Sequence, residues 1–317
     1  MPRRVSAFHD FVGQKELVDQ LRRQAAGAQA LKQSFPHTLI LGSSGLGKTR
    51  LARATAAEYG TEVIETMGDL SKAELVNRLV ALNENDFLFI DEAHALKNPM
   101  QELLYGAIDH CQVPRVPGTK AANGSLQDLE TPVEIRPFTL ILATDQPSRI
   151  LNALQKRMAL KVPINYYAVE ELKEIVERVA KRMDLHLTAQ AAHLLAKVSA
   201  GVPRRVEHHL QNLQRHHSDA RQEQIGVPQV REFLAAFDID DKGLGAQERA
   251  YLNFLRNVEA ASLESLAIRL GVDSEYVRRQ IEPLLLREHL VAIGSSGRRL
   301  KPAGKQWIEQ LNIITKE

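Results

Sequence analysis

Leu39-Ile40-Leu41-Gly42-Ser43-Ser44-Gly45-Leu46-Gly47-Lys48-Thr49 is an apolar run that breaks into a glycine-rich loop and ends in Lys-Thr. A strand passing through such a loop into a helix has the form of a nucleotide-phosphate cradle, so the chain is expected to bind ATP or GTP. Gly42, Gly45 and Gly47 are expected to give the loop backbone angles closed to residues with a Cβ, turning amide N–H groups toward phosphate oxygens. Lys48 reaches the outer phosphates. Thr49 opens a helix whose unpaired N–H groups favour an anion, and its hydroxyl is placed to bind Mg²⁺.

The second stretch to read is Asp86-Phe87-Leu88-Phe89-Ile90-Asp91-Glu92-Ala93-His94, a buried strand with carboxylates where it leaves the sheet. Taken alone, this is also how an ordinary strand with a solvated Asp-Glu pair would end. Downstream of a glycine loop the chemistry is specific: Asp91 holds the Mg²⁺ shell and Glu92 orients or deprotonates the attacking water.

The remaining composition limits the other classes. A chain of 317 residues suits two or three domains, and 44% hydrophobic with 25% charged residues describes a globular protein. No apolar run approaches a membrane span, and no apolar signal segment follows Met1-Pro2-Arg3-Arg4, so a cytoplasmic location is expected. The single cysteine, Cys111, has no partner for an internal disulfide. A net charge of +2 does not imply nucleic acid, and any such partner requires a local patch. His208-His209 and His216-His217 are eight residues apart, about two helical turns, which is too far to close one tetrahedral metal site; they read as a polar helix face.

Strands and helices alternate over the first half, the pattern of an α/β parallel sheet covered on both faces. A helix is expected from about Gln14 to Leu31, the loop helix through Glu58, a short strand over Thr61 to Thr66, and a helix opened by the capping box Ser71-Lys72-Ala73-Glu74. Asn98-Pro99 pairs a cap residue with proline at the first position of a helix running to about His110. Cys111 to Val116 and Thr131 to Ile135 read as a β-hairpin with a polar tip over Gly118 to Asp128, and Pro137 to Thr144 as another buried strand. Four helices then follow, about Val169 to Met183, Thr188 to Ser199, Pro203 to His217 and Val227 to Phe237.

Residues 242–317 read as a third unit. Helices over Gln247 to Asn257, Leu263 to Leu270 and Ser274 to His289 precede two short strands joined by a turn at Gly294 to Gly297, the order of a winged helix. Arg278, Arg279, Arg298, Arg299 and Lys301 form its cationic patch. A protein-binding winged helix has the same pattern.

With these elements in place the chain resembles the AAA+ ATPases, and within them the RuvB-type Holliday-junction branch-migration motors. The resemblance runs from Phe11-Val12-Gly13-Gln14 through Gly45 to Thr49, Leu88 to Glu92 with His94, Glu102-Leu103-Leu104-Tyr105, Pro137-Phe138-Thr139-Leu140, Gly201-Val202-Pro203-Arg204, Gly243-Leu244 and Ile281-Glu282-Pro283. It implies a large ATPase domain over residues 1–167 with a hairpin insert at 111–136, a helical lid at 168–241 and a DNA-binding winged helix at 242–317. ATP and Mg²⁺ are the implied cofactors. The metal falls to Thr49 and Asp91, the water to Glu92, the first sensor to Thr144 and the second, in cis, to Arg204. Arg157 falls at the arginine finger that enters a neighbouring subunit's site. Val12 and Tyr166 or Tyr167 would line the adenine pocket, with Gly13, Gly45, Leu46, Gly47, Lys48, Arg50 and Pro203 completing the nucleotide contacts. The implied assembly is a hexameric ring around duplex or four-way junction DNA, with Arg298, Arg299 and Lys301 on phosphates and a junction-binding protein docked through the hairpin.

The sequence departs from the family at four places: Asp145 and Gln155 replace a usual threonine and arginine, the wing turn Ile293 to Arg298 keeps one matching arginine, and the hairpin from Cys111 to Arg136 differs in composition from the family's partner-docking element. A divergent paralogue and the housekeeping motor are both consistent with them. Asp91-Glu92-Ala93-His94 also invites a DEAH-helicase reading, but that class needs a second RecA-like domain where this chain has lid and winged-helix patterns. The main alternative is an ATP-switched initiator or loader of the same domain plan that does not translocate. A ring stabilised by nucleotide without turnover fits less well with Glu92, Arg157 and Arg204 all present.

Overall fold

A computed structural model describes residues 8–116, 132–217 and 224–314. They fall into two compact units, Met1–Tyr167 with Val202–Arg204, and Ala168–Gly201 with Arg205–Glu317.

The first unit contains α1 (Lys15–Ala30), β1 (Thr38–Leu41), α2 (Lys48–Tyr59), β2 (Val63–Met67), α3 (Lys72–Ala81), β3 (Phe87–Asp91) and α4 (Asn98–His110). After these come β4 (Gln112–Val113), β5 (Val133–Glu134), β6 (Thr139–Thr144), α5 (Asn152–Gln155) and β7 (Leu160–Pro163). Five strands pair in the order β2-β3-β6-β1-β7, and every pairing is parallel. Leu39 and Ile40, Phe87 to Ile90 and Leu140 to Ala143 are buried as unbroken apolar runs, because helices cover both faces of the sheet. On one face Leu88, Ile90, Leu140 and Leu142 cluster with Leu75 and Leu79 of α3 and Leu104 of α4. On the other, the Phe87 ring lies 5.4 Å from Phe35 and 5.6 Å from Tyr59.

Side-chain caps open several of the helices. Ser71 Oγ accepts from the Glu74 amide at 3.3 Å while the Glu74 carboxylate accepts from the Ser71 amide at 2.8 Å, so the expected capping box forms. These bonds hold the Glu74 carboxyl below its ordinary value. The Asn98-Pro99 expectation needs a correction: Lys97 is the cap residue, Asn98 already belongs to α4, and no side chain caps it. β4 and β5 pair antiparallel, Gln112 with Glu134 and Val113 with Val133, which forms a hairpin stem. The expected tip at Gly118 to Asp128 lies outside the described residues. β7 carries no strong strand pattern in the sequence, since Leu160-Lys161-Val162-Pro163 is short, interrupted by a lysine and ends in proline, as suits an edge strand.

The second unit opens with α6 (Val169–Arg182), α7 (Ala189–Val198), α8 (Pro203–His216), whose first two residues count with the first unit, and α9 (Val227–Ala236). Thr188 caps α7, its hydroxyl accepting from the Ala191 amide at 3.2 Å. The polar histidine face is only partly present. His209 is 6% exposed and meets Phe233 edge-on, while His216 packs against Phe233 and Phe237.

The winged helix comprises α10 (Ala246–Arg256), α11 (Leu263–Leu270), α12 (Ser274–Tyr276), a π-helical turn (Val277–Ile281), α13 (Glu282–Arg287), β8 (Val291–Gly294), β9 (Gly297–Leu300) and α14 (Pro302–Ile314). The expected continuous third helix is interrupted because Pro283 has no N–H to donate to the Arg279 carbonyl, and the π turn absorbs the mismatch. β8 and β9 pair antiparallel as the wing. At Gly297, with φ 109°, a Cβ would overlap the Ala261 carbonyl, so the wing closes against the start of α11 only with glycine there. Beneath the wing Glu282 is 1% exposed, accepting from Arg298 Nε at 2.7 Å, Arg298 Nη2 at 3.3 Å and the Tyr251 hydroxyl at 3.0 Å. Burial and this carboxylate push the Tyr251 phenol up. Among the described residues no helix is long and apolar enough to cross a membrane.

Removing Arg298 leaves a buried carboxylate with a phenol as its remaining named partner. Arg298→Ala is therefore expected to destabilise the winged helix by about 3 kcal/mol or more, seen as a lowered denaturant midpoint. Replacing Arg298 and Glu282 together by apolar residues of similar volume should cost less than Arg298→Ala alone. A wild-type midpoint for Arg298→Ala would contradict the buried pair.

His209 gives the lid a pH dependence of known sign. Burial lowers its pKa from 6.5 to about 4, so below pH 6.5 the unfolded chain takes up a proton that the folded chain refuses. Stability from this group is full above pH 6.5 and is lost as pH falls toward about 4, by roughly 3 kcal/mol. Urea unfolding followed from pH 7 to 4.5 should show this loss, and His209→Leu should flatten it.

Candidate functional site

Parallel strands end on the same edge of a sheet, and the candidate residues lie at that edge. In register, Leu41 of β1 is flanked by Thr144 of β6 and Pro163 of β7. The loop after β1 therefore leaves between two neighbouring strand ends. Gly42 donates its N–H to the Thr144 carbonyl at 3.2 Å, and a Cβ on it would come 3.0 Å from the Ile164 carbonyl. The expectation that Gly42 supplies an unusual backbone angle is thus corrected, because close approach is what requires glycine there. Gly45 and Gly47 do have φ of 82° and 96°.

Lys48 is buried, and its Nζ donates to the carbonyls of Gly42 at 2.9 Å and Ser43 at 3.2 Å. Thr49 Oγ1 donates to Asp91 Oδ2 at 2.6 Å, joining the head of α2 to the end of β3. The other Asp91 oxygen accepts the Glu92 amide at 2.9 Å, and Glu92 turns the chain with φ 48°. Thr144 Oγ1 lies 3.1 Å from His94 Nδ1 and accepts the Gln146 amide at 2.9 Å. Glu92, His94 and Asp145 present ligand-type atoms within 4.8 Å of one another. Glu92 and Thr144 are therefore bridged by a histidine whose part in the site the sequence did not reveal.

Arg204 reaches the loop. Its amide donates to the Gly45 carbonyl at 3.2 Å and its Nη1 to Ser44 Oγ at 2.9 Å, while a Cβ on Gly45 would come 2.9 Å from Arg204 Cβ. Pro203 is the first residue of α8, immediately before Arg204. The Tyr167 hydroxyl donates to the Leu46 carbonyl at 3.2 Å, and Tyr166 shares a 3.0 Å hydrogen bond with Ser43. Val12 is buried and Gly13 has φ 74°. Gln14 beyond them donates to the Asn165 carbonyl at 2.8 Å, tying this segment to the loop after β7. Arg50 donates to the Asp10 carbonyl at 2.8 Å, fastening the same segment to α2.

Arg157 is not brought to this edge within one chain. Its Nε donates to both Asp109 carboxylate oxygens, at 2.8 and 3.0 Å, its Nη1 to the Ala153 carbonyl, and its guanidinium lies 4.7 Å from the Tyr105 ring centre. The guanidinium holds the Asp109 carboxyl below the usual range.

The wing requires a correction. Arg298 is committed to Glu282 beneath the wing, with both donors of its fork on one carboxylate, and does not present a free cation to phosphate. Arg299 is exposed and Lys301 half-buried at the end of β9.

Three family descriptions match the chain in succession: the Holliday junction DNA helicase RuvB P-loop domain over residues 3–164, the RuvB AAA lid domain over 167–240, and the RuvB C-terminal winged helix domain over 241–309. The Holliday junction branch migration complex subunit RuvB of Thermotoga maritima is 30% identical over 300 residues, covering 93% of this chain and 88% of that protein. The protein of the same name from Prochlorococcus marinus strain MIT 9215 is 32% identical over 317 residues, covering 96% and 87%. Among solved structures, the Thermotoga maritima RuvB Holliday junction branch migration motor superposes with a TM-score of 0.81 at 28% identity, covering 96% of this chain and 97% of that one.

Proposed function

Because the chain belongs to the RuvB family of AAA+ ATPases, we propose that it hydrolyses ATP to drive branch migration of Holliday junctions as a ring-forming motor. The observation that carries this reading is the meeting of Lys48, Thr49, Asp91 and Glu92 at one sheet edge, with Arg204 laid on the loop from outside the sheet. The alternative of a loader that switches without translocating shares the domain plan, and the experiments below separate the two.

The donor set fits Mg²⁺, since a hydroxyl and a carboxylate oxygen 2.6 Å apart are hard ligands of the kind that ion takes together with water and phosphate. Bound there, the ion would neutralise charge on the outer phosphate oxygens. The amides of Gly45 to Thr49, at the head of α2, receive phosphate oxygens with the favourable end of the helix dipole behind them. Lys48 adds the cation. Glu92 orients water and accepts its proton as the water oxygen bonds to the γ-phosphorus and the bond to the β-phosphate oxygen breaks, giving ADP and phosphate. Thr144 and Arg204 read the γ-phosphate. Val12, Gly13, Leu46, Arg50, Pro203 and Tyr167 form the walls of the nucleotide site.

Arg157, held by Asp109 and stacked on Tyr105 away from its own chain's loop, serves the neighbouring subunit as an arginine finger. Such a residue is worth roughly 10³ to 10⁵ in rate. Hydrolysis accordingly depends on assembly, here proposed as a hexamer in the cytoplasm. Arg299 and Lys301 grip DNA phosphates without reading bases, and the 111–136 hairpin docks a junction-binding protein.

Steady-state hydrolysis with and without four-way junction DNA tests the motor directly. A motor should be strongly stimulated by DNA, whereas a loader that holds one nucleotide per event should not cycle. Lys48→Ala should abolish ATP binding, while Glu92→Gln should keep ATP bound with hydrolysis stopped, because the amide retains the size and cannot take the proton. Equal loss of ATP affinity in both would contradict these roles.

The finger makes a separate prediction. Mixing Arg157→Ala subunits with Glu92→Gln subunits should restore part of the hydrolysis, since mixed rings contain interfaces joining an intact Glu92 to an intact Arg157. With mixed assembly verified by a tag, a mixture as inactive as its components would argue that Arg157 does not act across an interface.

A further inference from the structure

Resting on the role of Glu92 above, we infer that Asp145 and His94 form a positioning bridge that holds the Glu92 carboxylate and ties it to Thr144. His94 projects from the short turn after β3, and Asp145 follows the last residue of β6, so two neighbouring strand ends supply the two halves. The ring stands between carboxylates: His94 Nε2 lies 3.4 Å from Glu92 Oε2, and Nδ1 lies 3.4 Å from Asp145 Oδ1. Nδ1 is also 3.1 Å from Thr144 Oγ1. The histidine side chain is 12% exposed, so its orientation is fixed by these neighbours and not by water. Gln146 steadies the far end, its Nε2 donating to Asp145 Oδ1 at 3.2 Å.

The same three residues invite a metal reading, and the geometry disfavours it. A metal takes one nitrogen of a histidine, and its carboxylate ligands must gather on that side. Here each nitrogen faces a different carboxylate at 3.4 Å, so the two carboxylates do not gather at one nitrogen. The ring's hydrogen bond is the one between Nδ1 and the Thr144 hydroxyl, which can donate or accept, and the Glu92 and Asp145 carboxylates stand beside the two nitrogens at ion-pair distance. A general base works only when its oxygen is aimed at the water, and a base swinging on a strand-end turn spends less time aimed. Because the bridge also touches Thr144, a shift of that hydroxyl on meeting phosphate reaches Glu92 through a single ring.

The test is ATP hydrolysis by the full chain with saturating DNA. Asp145→Ala and His94→Ala should each lower kcat about tenfold with the KM for ATP within about twofold, because aim and not binding is lost. The double variant should be no slower than His94→Ala, as expected for residues acting through one another. Asp145→Asn keeps an acceptor toward His94 and Gln146 and should stay within about twofold of wild type. Wild-type kcat in both Asp145→Ala and His94→Ala, with Glu92→Gln inactive, overturns the bridge while leaving the role of Glu92 standing. Hydrolysis by Glu92→Gln would instead overturn the role on which the bridge rests. Inhibition of the wild type by micromolar Zn²⁺ that vanishes in Asp145→Ala, with kcat otherwise unchanged, would make the cluster a metal site and overturn the bridge as well.

Discussion

The site depends on the pairing of β1 between β6 and β7. Leu41 has Thr144 on one side and Pro163 on the other, and the chain leaves that slot through Gly42, which hydrogen-bonds to one strand end and nearly touches the next. Every later contact follows from it. The loop emerges between the strand that supplies Thr144 and the one that leads to Tyr167, and Asp91 on β3, next beyond β6, is close enough to accept from Thr49. Since both faces of the sheet are covered, the apolar runs in β1, β3 and β6 admit little slippage in register. Truncating a buried leucine in them costs about 2 to 5 kcal/mol and loosens the catalytic edge too.

The parts of this arrangement that are local were legible in the sequence. The glycine loop, the acidic end of β3, the Ser71 and Thr188 caps and the lid helices depend on neighbours within a few residues, and periodicity with cap chemistry reports these. What depends on distant partners was not legible. Glu282 and Arg298 are sixteen residues apart and meet only because the wing folds over α13, so an arginine that reads as a surface cation becomes half of a buried pair. Similarly, α14 contains Gly304, which argues against a helix by propensity, yet a Cβ there would overlap the Leu290 carbonyl. His94 is the functional example. It stands in plain view beside Asp91 and Glu92, but its contact with Thr144 joins residues fifty positions apart.

Two kinds of ionic contact are thus separated in one chain. Arg298 is fixed within the winged helix and serves stability, whereas Arg157 lies in a half-exposed setting, aligned by Asp109 and the Tyr105 face. A guanidinium aligned this way loses little freedom when it meets a phosphate. Arg204, by contrast, donates to Ser44 of its own chain's glycine loop. On the proposed reading of Arg157 as a finger, turnover is linked to the neighbour, the property a rotary or sequential motor requires and a solitary ATPase does not.

The most direct measurement is the fate of a labelled synthetic four-way junction with homologous arms, incubated with the purified chain, its ATP and Mg²⁺, and a junction-binding partner where one is needed for loading. A branch-migration motor should convert the junction to two duplexes in an ATP-dependent reaction that stops when hydrolysis is blocked. A junction that is bound, stimulates ATP turnover and yet stays unresolved with every loading partner would contradict branch migration and favour a loader.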